Sequence, residues 1–305
     1  LKWRAEVPRC ISAFYRLEDI MDRLLGRKRY IAFYVGIPFA IFAFFGLTPI
    51  LYNLYLSLFK TNLLTDGEFV GLKNYAQMLR DQFFRKAFVN NLKFVVFNYI
   101  AHMGISLLLA SLLYSGKLKE EKVYQSIIFL PSIICGTAIG LLWKFIYHPD
   151  FGILNKLLCA IGLESAAQNW LANKETVVPA LVVAIMWQFV GYHMTIQLAA
   201  MRDIDKNVLE AAEIDGADGW TKLTRIVIPL IKPILAIDSV MIITGALKLY
   251  DIVSVTTNGG PNHASDVLSL YIFKQAFNNK NFGYASALSV VLLIVCVLIT
   301  MGVKR

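Results

Sequence analysis

Charge is scarce in this 305-residue chain: Asp, Glu, Lys and Arg make up 17% of it, whereas 57% is hydrophobic. An ordinary soluble domain carries about 25% charged and about 45–50% apolar residues. The apolar excess needs a sink larger than one soluble core, and lipid supplies it. A mean hydropathy of +0.57 agrees. Cysteine is rare as well. Cys10, Cys135, Cys159 and Cys296 show no CxxC or metal-ligand spacing, so neither a disulfide nor a zinc site is expected. Cys135 and Cys296 fall within apolar runs and are expected to be small packing residues.

The motifs of catalysis are missing too. No GxxxxGK[ST] exists to cradle a phosphate, and Gly116-Lys117 lacks both the earlier Gly and the following Ser or Thr. His102, His148, His193 and His263 form no HExxH, and there is no GxSxG elbow. The chain is therefore not expected to be an enzyme. The formal charge of +9 is spread between apolar stretches. Without a basic face interleaved with aromatics, it excludes nucleic acid as a partner and points to anchoring in a bilayer.

What is present is a set of six apolar stretches, at 30–59, 87–114, 123–146, 176–200, 230–255 and 285–303. Each is long enough to cross a hydrocarbon layer, which takes about 20 residues. Each must be a helix, because a lone strand would leave its backbone polar groups unpaired in lipid. Pro38 and Pro49 are expected to bend the first span, and Pro131 lies near the start of the third. The fold class is thus an all-α integral membrane protein of about six transmembrane helices. Basic residues before the first span, at Lys117, Lys119 and Lys122, from Arg202 to Arg225, and at Lys304 and Arg305 outnumber those in the alternate loops. That bias places both termini in the cytoplasm.

Residues 1–29 form a cytoplasmic segment in which Ile11, Phe14, Leu17, Met21, Leu24 and Leu25 recur at helical spacing. It is expected either to lie on the inner membrane surface or to pack on the protein's own cytoplasmic face. Residues 30–305 form the transmembrane domain. A first residue other than Met, and an end directly after an apolar run, predict a trimmed chain.

The segment 201–229, between the fourth and fifth spans, does not read as an ordinary loop. Asp205 is expected to cap a helix with Val208, Leu209, Ala212 and Ile214 on its apolar side, and Gly216 to end it in the left-handed conformation. Asp218 starts a second short helix that Pro229 is expected to stop. The result is an elbow whose small residues, Ala211, Ala212, Gly216 and Ala217, let another protein approach closely.

Glu210-Ala211-Ala212, then Asp215-Gly216-Ala217, Ile226, Pro229 and Pro233 resemble the EAA signature of ABC importer permeases. The carbohydrate group, of the maltose and glycerol-phosphate type, is most similar, and the outer Gly259-Gly260-Pro261 resembles the first of its two permease types. Asp205, Leu223 and Val227 stand where relatives usually carry Pro, Phe and Thr, and Asn258 replaces a common Gly. The resemblance implies a type I importer permease fold in a bacterial or archaeal cytoplasmic membrane. It also implies a second permease as heterodimer partner, two ATPase subunits holding ATP and Mg, and an extracytoplasmic binding protein. No cofactor is expected on this chain. Glu210, Ala211, Ala212, Asp215, Gly216 and Ala217 would couple to the ATPase.

The function so implied is alternating-access import of a saccharide, di- or oligosaccharide and possibly acidic. Polar and aromatic residues inside spans mark its path: Gln188, Phe189, Tyr192 and His193 in the fourth, and Thr244, Gly245 and Lys248 in the fifth. Lys248 and Asp251, three apart, are expected to pair on one helix face. Asp238 is expected to support the elbow, and Trp187 and Tyr250 are either packing or interface aromatics. The alternative is a secondary transporter or channel working without ATP. It gives no reason for the small-residue elbow.

Overall fold

In a computed structural model the chain is described over residues 28–62, 67–115 and 119–303. The amphipathic pattern within 1–29 lies outside the described residues, apart from the last two. The chain falls into two compact units that part between Tyr55 and Leu56. The first contains all but the last residue of the opening span, Ala32–Leu56. Pro38 sits inside a continuous helix, Lys28–Phe42, whereas a wider π-turn, Ala43–Leu47, precedes Pro49. Pro49 has no amide hydrogen for the carbonyl four residues back, and the wider turn absorbs that loss.

The second unit holds the spans Gln82–Tyr114, Val177–Arg202, Lys232–Thr256 and Phe282–Val303, with a bent pair, Glu121–Ile133 and Gly136–Ile146, in the place of the third. The fourth span is the hub. Of its apolar window 67% is buried, against 22% for the second and 28% for the fifth and sixth. Helices in lipid gain little from hydrophobicity alone and associate by close packing. Gly191 shows the closeness here: a methyl group built on it would lie 2.1 Å from the Ile128 carbonyl oxygen. Phe94, Ile139, Leu181, Ile252 and Leu270 build one core layer, and Ala110, Met194, Leu198, Val227 and Ile231 another.

Two spans expected to be continuous are broken. The third turns by 99° between its halves. Pro131 opens the tight turn Leu130–Ile133, and Ile134 and Cys135 are extended. The fifth leaves the helical path at Lys248, Leu249 and Tyr250 and resumes as Asp251–Thr256. No proline causes this second break. It is held from outside by the buried Asn91, whose Nδ2 donates to the freed carbonyls of Ala246 and Leu247 at 3.3 and 3.1 Å. The Asn91 Oδ1 accepts from the Leu268 amide at 2.6 Å, tying the break to the next helix. The interruption also corrects the expected Lys248–Asp251 pair. The two are not on one continuous helix, and no ion pair joins them among the described residues. Cys296 is buried as expected, but Cys135 is exposed.

At the other end of the second span Asp81 caps the helix by accepting from the Phe83 and Phe84 amides, and it also accepts from the Tyr271 and Tyr284 hydroxyls at 2.5 and 2.6 Å. Burial raises its pKa, but these four bonds outweigh burial and hold the carboxyl below its usual value. Asn258, where relatives usually carry Gly, takes a positive φ of 47°, which Asn tolerates better than most residues.

Candidate functional site

The two breaks border a half-open cavity of about 420 Å³ between the second, third, fourth and fifth spans. Of the residues expected along a solute path, Gln188, Phe189, Tyr192, His193, Gly245 and Lys248 line it together. Thr244 does not; its hydroxyl turns back onto its own helix and donates to the Val240 carbonyl at 2.7 Å. Tyr250 and Asp251 face the cavity, whereas Trp187 packs edge-on to Trp143 outside it.

Gln188 is partly occupied by structure. Its Nε2 donates to the Ile134 carbonyl at 2.9 Å, satisfying a backbone group that the third-span break sets free. Asp238 does not support the elbow, as its place in the sequence suggested. It is fully buried, with one oxygen on His193 Nδ1 at 2.7 Å and the other accepting from Gln197 Nε2, also at 2.7 Å. Gln197 Nε2 also donates to Ser106 Oγ at 2.8 Å. A carboxylate in this layer is costly unless it is paired and bonded, and these contacts compensate it. They also join the second, fourth and fifth spans around His193.

The second span contributes two residues that hydropathy reading passed over, Asn98 and His102. Both are buried, and both look like helix-interior residues until the cavity is seen. The one available signal was their i, i+4 spacing. His102 Nδ1 meets the Asn98 carbonyl at 2.8 Å. Because a carbonyl only accepts, Nδ1 carries a proton. Asn98 Oδ1, Gln188 Oε1 and His102 Nε2 are buried with no hydrogen-bond partner. Unmet polar groups of this kind are rare and costly in a finished fold. All three belong to residues that line one cavity, but the atoms themselves lie behind its wall, where nothing the size of a water reaches them.

The elbow forms much as its sequence suggests. Asp205 accepts from the Asn207 amide at 2.9 Å and starts the helix Lys206–Ile214. Gly216 has a φ of +81°. Its amide donates to Glu213 and that of Ala217 to Ala212, at 3.0 and 2.9 Å, the paired bonds of a Schellman end. Asp218 accepts from the Thr221 amide at 2.7 Å and caps the helix Gly219–Lys222.

Three details differ from expectation. Pro229 does not stop that helix; a π-turn, Leu223–Val227, absorbs the missing bond and helix continues through Leu230. Ala212 is buried within the chain, so the accessible small residues are Ala211, Gly216 and, in part, Ala217. Of the expected apolar side only Leu209 and Ala212 point inward, while Val208 is exposed and Ile214 is 87% exposed. With Trp220, 73% exposed, Ile214 gives the elbow a bare apolar surface beside Glu210 and Asp215. The far side is anchored through Ile204, Leu209 and Leu223 to the core around Met194. Among the described residues no group of His, Cys, Asp and Glu is arranged to hold a metal.

Comparison with known proteins agrees with this architecture. The family model described as binding-protein-dependent transport system inner membrane component matches residues 28–304. The chain is 33% identical over 274 residues to a probable ABC transporter permease protein, YurN of Bacillus subtilis, covering 89% of this chain and 94% of that protein. It is also 33% identical to the lactose transport system permease protein LacF of Rhizobium radiobacter, covering 87% of this chain and 90% of that one. Among solved structures, a chain of a bacterial alginate ABC transporter, in complex with alginate pentasaccharide-bound periplasmic protein, superposes with a TM-score of 0.78. It is 21% identical, and 94% of this chain and 96% of that chain are covered. This chain is therefore a multi-pass membrane protein that belongs to the binding-protein-dependent transport system inner membrane components.

Proposed function

We propose that this chain is the membrane path of an ATP-driven importer, and that a neutral saccharide crosses through the cavity between the two broken spans. The observation that carries the reading is the cavity itself, whose wall brings Gln188, Phe189, Tyr192, Lys248 and Tyr250 together between the two broken spans. Hydroxyl, amide and ammonium groups on such a wall bond to sugar hydroxyls, while Phe189, Tyr192 and Tyr250 cover C–H surface. A volume of about 420 Å³ lies toward the small end of ligand cavities, which run from about 300 to 1,000 Å³, and so suits a short saccharide. Lys248 faces the cavity together with Asp251, so its wall carries one charge of each sign. This favours a neutral solute over an acidic one. Relatives named for lactose, diacetylchitobiose and arabinooligosaccharides support a saccharide.

In this reading residues 30–305 form one permease domain in a bacterial or archaeal cytoplasmic membrane, with both termini inside. An extracytoplasmic binding protein delivers the solute, and a second permease completes the path. Two ATPase subunits hold ATP and Mg, because this sequence contains no phosphate-binding loop. The elbow at 201–229 docks on one ATPase through Ala211, Gly216, Ala217 and the exposed Ile214 and Trp220, with Glu210 and Asp215 at the rim. Ala212 holds the elbow helix from behind.

The test is uptake in proteoliposomes of the assembled complex with its binding protein. ATP-dependent uptake of a neutral di- or trisaccharide, lost when the ATPase subunits are omitted, is expected. Uptake by this polypeptide alone, without ATP, would instead favour the channel or secondary-transporter alternative.

A further inference from the structure

A second cavity, of about 570 Å³, opens where the second span begins. Arg85, Lys86, Lys93, Lys174 and His263 line it, and no carboxylate does. Among the described residues Arg85, Lys86, Lys93 and Lys174 take part in no ion pair. The nearest acid of the neighbouring loop, Asp266, is already engaged by His263 and by Lys274, the latter at 2.8 Å. Cations gathered without counter-charge repel one another, and an anion relieves that repulsion.

The second span has 33 residues and is about 50 Å long at 1.5 Å per residue, well beyond a hydrocarbon core of about 30 Å. Its charges, Arg85, Lys86 and Lys93, all fall near its start, which assigns the excess length there and sets the first turns in the headgroup layer. Lys93 lies about 12 Å further along the axis than Arg85, at the depth where a lysine snorkels back to the interface. Lys86, Val89 and Lys93 share one helix face at three- and four-residue spacing. The same face continues with Phe97, Ile100 and Leu108, all exposed. Cations at one end and bare apolar side chains below them match an amphiphile in both position and chemistry.

We propose that this pocket binds the phosphate of an anionic phospholipid, with one acyl chain laid along Phe97 and Ile100. A small free anion would meet the cations alone, whereas a phospholipid meets the cations and the apolar stripe together. The second permease subunit would have to bring its own carboxylates to the same place.

The complete importer, purified in detergent and examined by native mass spectrometry, provides the test. Phosphatidylglycerol and phosphatidylcholine of identical chains are titrated separately. One tightly held phosphatidylglycerol is expected, with no equivalent phosphatidylcholine. Each cation near a membrane surface contributes about a fivefold factor, so Arg85→Gln/Lys86→Gln/Lys93→Gln should weaken binding about a hundredfold. Should the triple variant fail to assemble, Lys93→Gln alone should weaken it about fivefold. Three results would overturn the proposal: equal retention of the two lipids, phosphatidylglycerol affinity unchanged in the variants, or displacement by inorganic phosphate at matched concentration, which marks a simple anion site. A disulfide between Val89→Cys and the second permease in the native membrane would overturn it as well, by assigning the face to protein.

Discussion

Substituting Gly216 separates backbone conformation from contact. At a φ of +81° the residue occupies the left-handed region, and a methyl group built on it meets nothing within 4 Å. A side chain there therefore costs conformational strain and no clash. For an L-residue that strain is roughly 1–2 kcal/mol, and β-branching places Val at the upper end. A penalty of that size shifts the local equilibrium by roughly five- to thirtyfold. It opposes the two bonds, Gly216 to Glu213 and Ala217 to Ala212, that close the elbow helix. Asn tolerates the left-handed region, so Gly216→Asn should keep the elbow and Gly216→Val should loosen it. The assay is ATP hydrolysis by the reconstituted complex, with and without loaded binding protein, beside solute uptake. Gly216→Val should assemble and bind ATP but lose stimulation and uptake, while Gly216→Asn stays near the parent. Equal behaviour of the two variants would refute the conformational reasoning. Normal coupling in Gly216→Val would falsify the role of the elbow.

Other outcomes follow from single contacts. Gly245 faces the cavity with nothing within 4 Å of a built methyl group, so Gly245→Leu should leave assembly intact and select against larger saccharides in competition uptake. Gly191→Ala meets the Ile128 carbonyl oxygen at 2.1 Å and should lower the yield of assembled complex, whatever the solute. Removing the buried carboxylate with Asp238→Ala leaves His193 Nδ1 without its partner and Gln197 Nε2 with Ser106 in place of two acceptors, and should destabilise by about 3 kcal/mol or more, read as a lower melting temperature of the purified complex. Asp81→Ala removes a helix cap and the acceptor of two tyrosine hydroxyls, a loss of about 2 kcal/mol. Because the folded Asp81 pKa lies below its unfolded value, its contribution is complete above about pH 4 and fades as pH falls through the folded value. Asp81→Asn should therefore flatten the acid limb of the stability profile and leave its pH dependence from 5 to 8 unchanged.

The number and approximate limits of the spans were legible because twenty-residue apolar runs have few other fates. The elbow was legible through its caps: Asp205, Gly216 and Asp218 each state a local backbone requirement that needs no tertiary partner. The broken fifth span was not legible. It is held by Asn91, which is 155 residues away from Ala246, and a contact at that separation leaves no local pattern. Pro131 did signal the third-span break, but Pro229 gave an equal signal where a π-turn carries the helix through. The paired reading of Lys248 and Asp251 failed for the same reason: i, i+3 spacing means proximity only on an unbroken helix. Asn98 and His102 were missed because polar residues on a span say nothing of which neighbour they face. Ile214 read as apolar and hence inward, yet it stands exposed on the elbow, as does Trp220.

The most direct test of the solute path is protection of a single cysteine in the cavity wall. Tyr192 is half-buried, lines the cavity and forms no hydrogen bond through its hydroxyl among the described residues, so Tyr192→Cys replaces a contact without removing a support of the fold. In a complex carrying that change and lacking the native cysteines, maleimide labelling should be slowed by the transported saccharide, with the same concentration dependence as uptake. Labelling that proceeds unchanged while uptake saturates would place the path elsewhere.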